Sequence, residues 1–279
     1  MVTGQQKRIH KQFLRRQRVY ENRYARLFLA DLANQYRKAA TEYASGGTGI
    51  GVIRPEDYEA TYKKLYTQCI VSEAQITWDM YIEPLTNERK DIFDDIADFL
   101  SEGLERSGLI SLWRRLSQDY LQIYITQRLA NVADTTRKAI SKVIESGVNE
   151  GLGAEQIARN IQKETKGEIN KNRSRLIART ETVNAMNRGK RLSIVSSNLL
   201  WEKKWIATND DRTRKTHLHM NLEGYVEFEQ PYLVNGELLM YPGDPSGTAG
   251  NVINCRCSEI YQVRRDADGR PLRKRITEQ

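Results

Sequence analysis

Trp201-Glu202-Lys203-Lys204-Trp205-Ile206-Ala207 is where the chain changes character. Aromatic and β-branched residues crowd this short run, and it predicts a strand. Beyond it the strand signals continue. Tyr225–Phe228 is a second candidate. Tyr232-Leu233-Val234 and Glu237–Tyr241 flank Asn235-Gly236, a pair that supplies the positive φ a type I′ hairpin turn requires. Pro242-Gly243-Asp244-Pro245-Ser246-Gly247 reads as a stiff loop, and Ser258–Val263 closes a small antiparallel sheet.

Before residue 199 the period is helical. Residues 5–44 form a first long helix, ended by Ser45-Gly46-Gly47-Thr48-Gly49-Ile50-Gly51, where four glycines exclude a regular element. Pro55, Glu56 and Asp57 suit a helix start, and Tyr58, Tyr62, Leu65 and Cys69 carry the helix to about Tyr81. Pro84 marks a break, with Asn87 the N-cap of a helix carrying Ile92, Ile96 and Phe99. Another helical region runs from Ser107-Gly108 to about Glu145. Gly147, Gly151 and Gly153 make a turn, Ala154 to about Glu164 a short helix, and Arg173 to about Ser197 the last one. The expectation is an α+β chain: a mainly helical domain over 1–165, a small α+β domain with a short antiparallel sheet over 166–263, and a basic tail over 264–279. No repeat of 20–50 residues is visible.

With 279 residues, 29% charged and 39% hydrophobic, the chain has globular composition, which excludes collagen-like and wholly disordered classes. No run is apolar enough to span a bilayer, and the N-terminus lacks the apolar core of a secretory signal, so no membrane partner is expected. Three cysteines, two of them one residue apart, make no disulfide framework and point to synthesis in a reducing cytosol.

The net charge of +8 lies wholly in the first forty residues, which hold ten Lys and Arg against Glu21 and Asp31. Lys7, Lys11, Arg15 and Arg18 are spaced four, four and three and line one helical face; Arg26 extends the cationic side. Ile9, Phe13, Tyr20, Tyr24 and Phe28 follow the same period on another face. A stripe of this kind meets nucleic-acid phosphates or an acidic protein surface, or is simply a solvated face with core aromatics behind it. No sequence-reading DNA motif accompanies it.

The densest chemistry lies in the second part. Ile177-Ala178-Arg179-Thr180-Glu181-Thr182 is followed by Trp205-Ile206-Ala207, Asp210-Asp211-Arg212-Thr213-Arg214 and His217-Leu218-His219-Met220. Tyr241-Pro242-Gly243-Asp244-Pro245 and Asn254-Cys255-Arg256-Cys257 complete the series. In this order the segments resemble the phage head morphogenesis domain of Mu F-like minor head proteins, over roughly residues 150–262. That resemblance implies a structural virion component rather than an enzyme. It would sit inside the head near the portal vertex after assembly in the host cytoplasm, assisting head assembly and genome packaging or ejection. The portal protein is the implied partner, with the major capsid or scaffolding protein and packaged double-stranded DNA as further candidates.

Read as chemistry, the same residues suggest bracing. Arg179 and Glu181, two apart on a helix, point to separate partners. Arg212, Arg214 and Arg256 are fork donors, and Asp210, Asp211 and Asp244 are natural acceptors. The expected anchor is Arg179, Glu181, Asp211, Arg212, His217, Asp244, Asn254, Cys255 and Cys257, with no catalytic residue and no cofactor. Zinc on His217, His219, Cys255 and Cys257 is the alternative. Many relatives of the resembled family look like zinc binders, with Cys-x-x-Cys at the positions of Arg214 to His217 and a His just before the terminal Cys-x-Cys. Here Arg214 replaces the first cysteine and Asn251-Val252-Ile253-Asn254 holds no histidine. The two histidines share a face on a strand and diverge on a helix. A metal-dependent hydrolase or nuclease built on His217 and His219 is the remaining enzymatic reading. It lacks an evident general base and a phosphate loop. A general nucleic-acid-binding protein using the basic helix is the remaining binding one.

Overall fold

The computed structural model describes residues 2–88, 106–165 and 167–274. Its helices are α1 (Gly4–Ala44), α2 (Glu59–Thr77), α3 (Glu83–Glu88), α4 (Arg106–Asn149), α5 (Ala154–Glu164), α6 (Glu168–Val195), α7 (Lys215–His219) and α8 (Ala249–Val252). The strands are β1 (Trp201–Ile206), β2 (Val226–Glu227), β3 (Tyr232–Val234), β4 (Glu237–Leu239) and β5 (Ser258–Val263). A mainly helical first part therefore precedes a region of small antiparallel sheets, the α+β class expected.

The described chain separates into two compact units. One comprises residues 1–19, 66–117 and 179–279, the other 20–65 and 118–178. In the first, β1 is the central strand of a sheet ordered β2-β1-β5, antiparallel throughout, with Trp201 opposite Val263 and Ile206 opposite Ser258. β3 and β4 pair separately, Tyr232 opposite Leu239, across Asn235 and Gly236, whose φ values of 51° and 78° are those of the expected turn. Residues 264–274 turn back along the sheet end: Arg264 N–H donates to Leu200 O and Leu200 N–H to Leu272 O. Trp205, Ala207, Val183, Met220, Tyr232, Val234 and Leu239 bury one apolar cluster together with Cys255 and Cys257. Burying such side chains contributes about 1.5–3 kcal/mol each, an upper estimate.

The start of α1 is fixed by a capping box. Thr3 Oγ1 accepts the Gln6 N–H, and Gln6 Oε1 accepts the Thr3 N–H. The helix then presents His10, Phe13 and Gln17 inward, while Lys7, Arg8, Lys11, Arg15 and Arg18 face solvent. His10 is buried between Ser258 Oγ, 2.8 Å from Nδ1, and Thr208 Oγ1, 3.1 Å from Nε2. Burial, then the charges of Lys190 and Arg256, hold its pKa at about 4. A histidine titrating near 6.5 when unfolded then binds protons in the unfolded chain first. Its contribution is complete above pH 6.5 and is lost as pH falls through 4, up to about 3 kcal/mol. Unfolding titrations between pH 7 and 5 should show this slope in the native chain and a flatter one in His10→Gln.

Charge is also buried here. Arg16 meets Glu73 through two parallel bonds, Nε to Oε1 at 2.5 Å and Nη2 to Oε2 at 2.9 Å, with Glu73 wholly buried. Lys190, buried and held at about 8 by desolvation, donates to Glu259 O and lies over the rings of Phe13 and Tyr261. Arg191 stands 3.6 Å from Glu259 Oε1, and Tyr261 Oη donates to its Oε2 at 2.8 Å. Lys203, fully buried on β1, donates to Met240 O at 2.7 Å beside the ring of Tyr232. At Gly189, α6 runs against Ile70 of α2: a Cβ there would collide with the Ile70 carbonyl oxygen and lie 2.8 Å from its Cα.

One sequence expectation is corrected. The chain does not break at Pro84. Trp78–Ile82 forms a π-helical turn that passes directly into α3, with the Glu83 N–H donating to Trp78 O, and Pro84 follows as the second residue of α3. Asn87 lies inside α3 rather than at a helix start. Ile92, Ile96 and Phe99 lie outside the described residues.

The second unit is a helical assembly with an aromatic interior. Tyr24, Phe28, Leu32, Tyr58, Tyr62 and Leu65 are buried, with Phe28 edge-on to Tyr62 at 5.1 Å. Tyr58 Oη lies 3.0 Å from Thr136 Oγ1, and Arg173 Nη2 donates to Val132 O at 2.8 Å. α4 and α5 form a hairpin closed at Gly147, where a Cβ would stand 2.6 Å from Ile157 Cγ1.

Candidate functional site

The site grows from three pieces of the first unit: α6, the short helix α7, and the segment entering β5. α6 is buried almost all round from Ala178 to Met186, so its polar residues need internal partners. Glu181 accepts Tyr66 Oη at 2.5 Å, and Asn184 donates to Tyr66 Oη and accepts from Tyr241 Oη, both at 3.1 Å. Asn187 Nδ2 donates to the carbonyls of Pro242 at 2.9 Å and Cys257 at 3.1 Å. Arg179 Nη1 donates to Asn254 Oδ1 at 2.6 Å, and the Asn254 N–H donates to Thr180 Oγ1 at 3.0 Å. Asn254 has φ 64°, the left-handed conformation that asparagine tolerates, and this aims the next residue inward. α6 thus clamps both the 242–244 loop and the Cys-x-Cys segment.

The clamp presents a buried trio. His217 Nδ1 stands 3.5 Å from Cys257 Sγ and 3.9 Å from Cys255 Sγ, and the Cys257 N–H points at Cys255 Sγ at 3.5 Å. Their ligand atoms lie within 4.8 Å of one another. The Trp205 ring meets the imidazole edge-on at 5.4 Å, and His217 Nε2 is buried without a hydrogen-bond partner. Cys257's hydrogen bond, then His217, hold the Cys255 thiol well below its ordinary range, while burial and then Cys255 push Cys257 up.

Zinc takes thiolate at about 2.3 Å and imidazole at about 2.0 Å, so neighbouring donors on a tetrahedral ion stand about 3.5 Å apart. The spacing of His217, Cys255 and Cys257 fits three corners. His219, the expected fourth ligand, is not there. α7 is helical, so the two histidines diverge, and His219 is 65% exposed with Nδ1 3.9 Å from Glu223. Arg214 donates to Ile253 O at 2.7 Å and closes the loop as a hydrogen-bond donor.

Of the expected anchor residues, Arg179, Glu181, His217, Asn254, Cys255 and Cys257 make the contacts just described. Asp244 caps its own loop, accepting from Met240 N–H at 2.7 Å and from Ser246 N–H and Oγ at 3.0 and 2.8 Å. Asp211 is exposed; Arg212, also exposed, stands 3.6 Å from Asp210 Oδ2 and donates its N–H to Asp210 Oδ1 at 3.2 Å. The acid–base pair of this loop is instead Asp210 with Arg256, bonded at 2.5 and 2.7 Å, and the Arg256 guanidinium holds the Asp210 carboxyl far below its usual range. Sequence reading overlooked Asn184 and Asn187. Two asparagines three apart in a helix interior, where asparagine is a poor former, were the available signal.

Lys7, Lys11, Arg15 and Arg18 are exposed on one face of α1, and Arg26 is exposed further along it. None has an ion-pair partner among the described residues. No helix among the described residues is long and apolar enough to cross a membrane.

Two curated proteins are similar in sequence. "Uncharacterized protein MJ0329" of Methanocaldococcus jannaschii is 24% identical over 190 residues, covering 67% of this chain and 29% of that protein. "NAD(+)--arginine ADP-ribosyltransferase EFV" of Enterococcus faecalis is 32% identical over 148 residues, covering 50% of this chain and 28% of that protein. The chain thus spans less than a third of either relative. No solved structure matches. The family model described as Phage Mu protein F like protein matches residues 138–260, a span that takes in the hairpin of α4 and α5, the α6 clamp and the trio; over these residues the chain carries a Mu protein F-like domain.

Proposed function

We propose that this chain is a structural component of a tailed-phage head, a minor head protein that associates with the portal inside the head and assists assembly and genome packaging or ejection. The observation that carries the reading is the burial of the trio inside a domain matched as Mu protein F-like. His217, Cys255 and Cys257 are at most 2% exposed, so the most reactive cluster of the domain faces core rather than substrate. The cluster braces α7 against the start of β5. Bound zinc would add a cross-link among the same three side chains, a structural role. The exposed face of Lys7, Lys11, Arg15 and Arg18, with Arg26, is the surface offered to packaged double-stranded DNA or to an acidic capsid, scaffolding or portal surface.

The similarity to an NAD(+)–arginine ADP-ribosyltransferase favours a second, enzymatic reading. One set of measurements separates them. His217→Ala should lower the stability of the full chain by about 2–4 kcal/mol, with a cavity and two lost contacts to sulfur. Neither protein should transfer label from NAD(+) to an arginine acceptor. Metal analysis of the same preparations reads zinc directly. In assembling particles, Arg15→Glu with Arg18→Glu should reduce incorporation or DNA retention while leaving melting unchanged. Transfer of ADP-ribose that disappears with His217→Ala would overturn the structural reading. Unchanged incorporation and DNA retention would remove the role of the stripe.

A further inference from the structure

The second unit holds a groove of about 650 Å³ that the assembly reading does not use. One wall is a single face of α4, positions 135, 138, 139, 142, 143, 146 and 147, which recur at the spacing of one helical stripe, continued by Glu150 in the turn that follows. The other wall is the end of α5, and Tyr36 of α1 contributes to the floor. At 1.5 Å per residue the stripe is about 22 Å long, four turns of helix. Tyr36 is buried and Ala139 and Val143 are half-buried, while Lys138, Lys142 and Lys163 stand exposed at the rim. None of these lysines has an ion-pair partner among the described residues.

We infer that this groove is a docking site for an acidic amphipathic helix of another protein. The apolar floor takes a row of aliphatic side chains at i, i+3 or i+4 and i+7, and the three lysines meet carboxylates flanking that row. The mixed rim separates this occupant from nucleic acid. Glu150 and Glu164 line the same groove and would face phosphates, and a phosphate backbone has no use for the apolar floor. A helix presenting carboxylates on one flank can meet the lysines and leave the glutamates to solvent. The groove belongs to a different compact unit from the Lys7–Arg18 stripe.

The test uses the full chain and a labelled, helical leucine–glutamate peptide of about four turns, with leucines at helical spacing on one face. Fluorescence anisotropy should show saturable binding that weakens with salt, while a scrambled peptide of the same composition stays free. Lys138→Glu with Lys142→Glu should weaken binding at least about tenfold by reversing the complementarity. Val143→Glu, on the floor, should abolish it. Circular dichroism and melting of each variant report whether it is folded. Equal binding by the scrambled peptide, or binding untouched by both variants in folded protein, would overturn the inference. So would displacement of the peptide by a DNA duplex, or sedimentation showing that a second copy fills the groove.

Discussion

Gly189→Ala lowers the stability of the first unit by about 3 kcal/mol or more, because the added methyl meets backbone rather than a movable side chain. Its Cβ would be driven into the carbonyl oxygen of Ile70 and 2.8 Å from the Ile70 Cα, so one helix must shift for the methyl to fit. Alanine is otherwise the better helix former by about 1 kcal/mol, and in an exposed helix the same change would stabilise. The sign of the result therefore measures the crossing itself. The displacement also reaches the clamp, since Asn187 and Lys190 flank position 189 and bond to the carbonyls of Pro242, Cys257 and Glu259. Chemical denaturation should show a lower midpoint. An unchanged midpoint would mean that α2 and α6 do not approach this closely.

Arg16→Ala is expected to destabilise by a similar amount, about 3 kcal/mol, by stranding Glu73 in the core. Glu73 is wholly buried and receives both of its short bonds from Arg16, whose own side chain is 26% exposed. Removing the cation strips the buried carboxylate of both short bonds and leaves it only the charge of Lys190, whereas exchanging both partners for apolar residues of similar size removes the charge as well. Arg16→Met with Glu73→Met should consequently recover most of the loss. Double-mutant unfolding data would check this: additive losses would show that the two side chains are not coupled.

The sheet and the long helices were legible because they rest on local signals. Asn235-Gly236 demands its turn, the aromatic run at 201–207 reads as a strand, and the apolar period through α1 separates Phe13, Tyr24 and Phe28 from the exposed cations. The trio was half legible. His217 and the cysteines stood out by type, but whether two residues of spacing brings histidines together or apart depends on secondary structure, and α7 proved helical. The π turn before α3 was not legible, because a proline ordinarily marks a break and the wide turn that carries the helix past Pro84 has no residue signature of its own. Which acid of Asp210 and Asp211 meets Arg256 was not legible, for a related reason. Adjacent carboxylates on a loop differ only in which one the backbone turns toward Arg256, and that is decided by a residue 46 positions away in sequence.

His10 is seated by Ser258, 248 residues later in the chain. During synthesis, therefore, α1 cannot complete this seat until β5, 248 residues further along, has followed it. Until then the first turns of α1 wait with the seat of His10 incomplete. Closure of this unit is accordingly a late, long-range event, slow by the ordinary penalty on distant contacts. A nascent chain arrested before residue 258 should keep that helix open to proteases.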